Sequence, residues 1–74
     1  MIVVVRGAYE VVNILRAGTN VEVSAEDYAS YHLVNMAMTA KISGAQLIIT
    51  DSKKLSSYDA TKITMAGRNN VTLI

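Results

Sequence analysis

Short apolar runs alternate with stretches of helical spacing along the whole chain. Four β-branched residues in succession at 2–5, closed by Arg6 and Gly7, read as a buried strand entering a turn. Ala8, Val11, Val12 and Leu15 then fall at i, i+3, i+4 and i+7, which is one face of a helix, and Gly18 stands where such a helix ends. "NVEV" at 20–23 reads as a second strand. Ser24 followed by Asp27 approximates a capping box and predicts a long helix from there to about Ser43, stopped by Gly44. "QLIIT" at 46–50 is a third strand, Ser56 to Asp59 offers another cap, residues 58–66 a third helix stopped by Gly67, and "NVTLI" a last strand. The predicted order is β-α-β-α-β-α-β, an α/β fold.

The three helix ends resemble one another. "YEVVNILRAGTN" from Tyr9 and "YDATKITMAGRN" from Tyr58 match without gaps at five of twelve places, and "YHLVNM" from Tyr31 repeats the Tyr, Val and Asn of "YEVVNI". The tyrosines are 22 and 27 residues apart, within the length range of solenoid units, so residues 1–74 are expected to form a single domain of about three degenerate β-α repeats. The leucine-rich consensus itself is absent.

Right-handed connections between strands laid down in chain order place all three helices on one face of a four-stranded, mainly parallel sheet. Three of the four strands support this by alternating. Val21, Val23, Leu47, Ile49, Val71 and Leu73 fall on the helix side, which leaves a mostly polar row of Asn20, Glu22, Gln46, Ile48, Thr50, Asn70 and Thr72 on the other. That row is the expected interaction face.

Size sharpens the expectation. A chain of 74 residues gains only a marginal core, and without cysteine it has no disulfide to help it, so association with a second copy is expected, through a sheet edge or the open face. Half the residues are hydrophobic, yet Phe and Trp are missing, so the core falls to Val, Ile, Leu, Met and Ala. A net charge of +1 without a basic stripe argues against nucleic-acid binding. Charge is unevenly spread: Glu10, Glu22, Glu26 and Asp27 outnumber the cations of the first half, and Lys41, Lys53, Lys54, Lys62 and Arg68 outnumber the acids of the second. No apolar run nears the roughly 20 residues of a spanning helix, and the opening apolar run is too short for a signal peptide, so no membrane role and a cytoplasmic location are expected.

Candidate chemistry is thin. His32 is the only histidine and has no second ligand near it in sequence, so no metal site is expected, and no cofactor motif is present. "TDSKK" at 50–54 follows a strand at its carboxyl end, where open α/β sheets hold ligands; Asp51, Lys53 and Lys54, with Arg6 at the first strand end, form a candidate anion-binding set. The plainer reading of that loop is a solvated turn. Gly7 lies at a strand-to-helix turn but outside any phosphate-loop pattern. Asn13 and Asn35 occupy matching repeat positions, with Lys62 at the third, and read as a solvated helix flank or, less simply, a ladder of stacked amides. Tyr9, Tyr31 and Tyr58 read as core edges with wet hydroxyls or, less simply, a partner-binding stripe; Met36, Met38 and Met65 read as core filler. The sequence thus points to a small, non-catalytic interaction or assembly module that associates with itself, and with another protein as a further partner. The competing class is a small-molecule or phosphate-binding domain at the strand ends.

Overall fold

Consecutive strands are joined through a helix that carries the chain back to the starting end of the sheet, so neighbouring strands run the same way. In the computed structural model, which describes residues 2–3 and 6–74 with side chains from Arg6 onward, the elements are β1 (Ile2–Val3), α1 (Ala8–Arg16), β2 (Val21–Ser24), α2 (Ser30–Ser43), β3 (Leu47–Thr50), α3 (Ser57–Gly67) and β4 (Val71–Leu73). Single 3₁₀ turns occupy Ala25–Asp27, Ser52–Lys54 and Arg68–Asn70. The fold is α/β with three helices and a parallel sheet, as the periodicity predicts.

The substance of that sheet is three strands rather than four. Val21, Leu47 and Val71 lie in register across β2, β3 and β4, as do Val23, Ile49 and Leu73. β1 adds only a two-residue parallel pairing, Ile2 with Val21 and Val3 with Glu22, at the far side of β2. The strand expected over 2–5 is therefore seen at its first half, and Val4 and Val5 lie outside the described residues.

Alternation along the strands decides what is buried. Val21, Val23, Leu47 and Ile49 are all but inaccessible and pack with Val11 and Leu15 of α1, Leu33, Met36, Ala37 and Ala40 of α2, and Ile63 of α3. Burying a Leu, Ile or Met side chain contributes about 1.5–3 kcal/mol each, which explains why these aliphatic positions hold the layers together without an aromatic core. The intervening Glu22, Ser24, Ile48 and Thr50 are only half-buried, and Thr72 is exposed. α2 is the middle helix and packs against both α1 and α3.

Two local expectations are corrected. The helix predicted from Ser24 begins at Ser30 instead, because Ser24 caps a single 3₁₀ turn, its Oγ accepting from the Glu26 N–H at 3.2 Å. Tyr28 and Ala29 are then extended, and the Tyr28 hydroxyl donates to the Arg6 carbonyl at 2.5 Å, which ties the turn to the approach to α1. By contrast Ser56 caps α3 as expected, accepting from the Asp59 N–H at 3.1 Å.

The three glycines also differ in purpose. Gly18 and Gly44 have φ of 92° and 82°, the left-handed conformation that ends a helix. Gly67 does not: its φ is −98°, and a Cβ built there would lie 2.7 Å from Val71 Cγ1 and 3.0 Å from Ala37 Cβ. Glycine is needed at 67 for close approach of α3 to β4 and α2. The positive φ falls one residue later, on Arg68 at 50°. Among the described residues no helix is long and apolar enough to cross a membrane.

Candidate functional site

The strand ends come first, because the sequence places its only candidate chemistry there. Asp51 leaves β3 in the left-handed conformation at φ 56°, which Asp tolerates better than most residues. Its Oδ2 accepts from Ser24 Oγ at 2.6 Å and from Thr50 Oγ1 at 3.4 Å, so the carboxylate clamps the end of β3 to the end of β2. The next residue extends the clamp: the Ser52 N–H donates to the Ile74 carbonyl at 3.0 Å, while the Ile74 N–H donates to the Ile49 carbonyl. Arg6 pairs with Glu10 at 3.2 Å on the exposed start of α1. Lys53 and Lys54 stand exposed on the 3₁₀ turn after Asp51. Of the four candidate anion-binding residues, then, Asp51 and Arg6 are engaged within the fold. Among the described residues no group of three or more His, Cys, Asp or Glu comes together as a metal site would need.

The polar sheet row divides in two. Glu22, Ile48, Thr50 and Thr72 are strand positions, with Thr50 Oγ1 also donating to the Val23 carbonyl at 3.3 Å. Asn20, Gln46 and Asn70 stand just before the strands and do something the sequence did not disclose. Asn20 Oδ1 accepts from the Gln46 N–H at 2.8 Å, and Asn70 Nδ2 donates to the Ala45 carbonyl at 2.9 Å. Two amides from neighbouring turns therefore pin the entrance of β3 from either side. Asn13 and Asn35 are exposed helix positions, as the solvated-flank reading has it, with Asn13 Oδ1 accepting from Arg16 of its own helix. The matching position in the turns, rather than in the helices, carries the pairing.

The outer side of the helices is the more informative surface. Tyr9, Tyr31 and Tyr58 are 77%, 67% and 72% exposed, too open to be core edges, and Met38, Ile42 and Met65 are exposed beside them. Met36 is buried, so only one of the three methionines named above is core. A groove of about 430 Å³ runs between α1 and α2, lined by residues that include Tyr9, Val12, Arg16, His32, Met38 and Ile42. A second of about 310 Å³ lies between α2 and α3 and shares Met38 and Ile42 with the first. These two side chains form an apolar ridge between two apolar furrows. His32 lines the wider furrow with its ring tilted against Tyr31, centroids 4.1 Å apart, which explains the histidine as part of an aromatic pair. Lys62 Nζ lies 5.4 Å over the Tyr58 ring at the far side of the layer.

The signal for this surface was present in the sequence. Met36 and Met38 are two residues apart on one helix, about 200° around its axis, so both could not face the sheet. No family model, no curated protein and no solved structure matches this chain.

Proposed function

We propose that this chain is a small non-catalytic interaction module, built of three degenerate β-α repeats on one side of a sheet, that works by associating with copies of itself. The observation that carries this reading is the row of large apolar side chains left open on the helical layer, with Ile42 83% and Met65 60% exposed. Contiguous apolar surface of this kind marks interaction sites in soluble proteins. The small core argues in the same direction, since a chain of this length gains stability from covering more apolar surface.

The helical layer is a better interface than the polar sheet row first considered. The side chains of Asn20 and Asn70 are occupied in holding the turns together, and Thr72 and Glu22 offer little apolar area for a partner to cover. Ligand binding at Arg6, Asp51, Lys53 and Lys54 has less support, because the two grooves are lined by other residues and one oxygen of the Asp51 carboxylate is already engaged within the fold. Sedimentation velocity across the micromolar range tests the reading. Mass should rise from monomer toward oligomer with concentration, and a folded monomer at every concentration would remove it.

A further inference from the structure

α2 is apolar on both sides. Leu33, Met36, Ala37 and Ala40 are fully buried on its inner face, while Tyr31, Met38 and Ile42 are open on its outer face. The exposed Asn35 and Lys41 interrupt the outer face, but its large side chains are apolar, and a helix with apolar stripes on two sides belongs between two layers, of which the sheet supplies one.

Charge on the helical layer decides what fits as the other. Because every helix returns from the end of one parallel strand to the start of the next, the three helices point the same way. Acids stand at one rim, Glu10 in the first turn of α1, where Arg6 pairs with it, and Asp59 in the first turn of α3. Cations stand at the other, Arg16 in the last turn of α1 and Lys41 in the last turn of α2, and α2 has no acid at all. An anionic membrane lying across both rims would gain at Arg16 and Lys41 and lose at Asp59, so it matches only one end of the layer. A second layer laid parallel would set Arg16 and Lys41 over their own counterparts. Turned end for end, the layer complements itself.

We infer that the missing layer is a second copy of this chain, related by a two-fold axis across α2 so that the helices of the two copies run antiparallel; the inference rests on the self-association proposed above. Tyr31, Asn35, Met38 and Ile42 follow one another at four, three and four residues and share one face of α2. The axis passes between Asn35 and Met38, the middle of that row. The partner's Ile42 then lies beside Tyr31 and His32 in the α1–α2 groove, the partner's Met38 lies beside Asn35, and each copy does the same for the other, as an isologous contact requires.

The absence of cysteine makes the geometry testable by cross-linking, using three single variants, Tyr31→Cys, Met38→Cys and Ile42→Cys, at exposed positions that the fold does not need. Mixing the Tyr31→Cys and Ile42→Cys chains under mild oxidation should give a mixed disulfide dimer in preference to either self-linked dimer, while Met38→Cys, which this register sets beside Asn35, should link preferentially to neither of them. Ile42→Asp should weaken dimerisation by about thirtyfold or more, as loss of a central anchor does, with unchanged circular dichroism. A dimer that links 31 to 31 and 42 to 42, or one indifferent to Ile42→Asp, would overturn this arrangement and leave self-association standing. A folded monomer throughout would remove both.

Discussion

At position 67 a single methyl group would have nowhere to go. The Cβ of Gly67→Ala meets Val71 and Ala37, both fixed in the interior of the fold, so this variant is expected to lose about 1–3 kcal/mol in urea unfolding, in line with overpacking elsewhere. Gly18→Ala makes a useful contrast. Nothing lies within 4 Å of a Cβ there, so its cost is limited to placing alanine at φ 92°, about 1 kcal/mol. Asp51 is the other residue whose identity the backbone and the side chain both demand. Asp51→Ala removes the acceptor for Ser24 and Thr50 and puts alanine in the left-handed region, an expected loss of about 1–3 kcal/mol by the same measurement, whereas Asp51→Asn keeps an acceptor oxygen and the tolerance for positive φ and should lose less.

Among the elements, α2 is the one whose ends and faces are least settled by its own residues. Its N-cap, Ala29, has the extended backbone of a capping position at φ −68° and ψ 153° but no side-chain acceptor, and Ser30 turns its hydroxyl to Asp59 of α3 at 2.8 Å instead. Ala29→Asp should therefore stabilise the helix by about 0.5–2 kcal/mol, read as a higher denaturant midpoint with the same slope. The same helix explains why its start was misplaced in the sequence. Ser24 and Asp27 have the spacing of a cap, and nothing local reveals that Tyr28 will reach back across 22 residues to Arg6. A long-range hydrogen bond of this sort overrides local patterning at the start of α2, while α1 and α3 begin within a residue of where periodicity and the Ser56 cap put them.

For the molecule as a whole, alternation within β2 and β3 made the layer order legible: Val21, Val23, Leu47 and Ile49 could face only one way. The site was less legible. An exposed apolar ridge and a buried one look alike in a helix such as α2, and Met38 and Ile42 were separable from Met36 only by working out angles around the axis. The roles of Asn20 and Asn70 depended on the register of three neighbouring strands, which no single segment contains. If the helical layer is covered by a second copy, folding and assembly are linked, and the thermal midpoint must rise with protein concentration. Calorimetry at two concentrations tenfold apart checks this, and a midpoint that does not move would place the apolar ridge outside any self-contact.

The close fit of Gly67 against Val71 bears on a hazard that every open sheet carries. β4 has a bare side where a foreign strand could attach, yet it cannot peel away alone, since the last turn of α3 is wedged against its first residue. Amide exchange at Val71–Leu73 should accordingly follow the melting of α3 rather than outpace it, which shields the edge by cooperativity where other proteins use charge or proline.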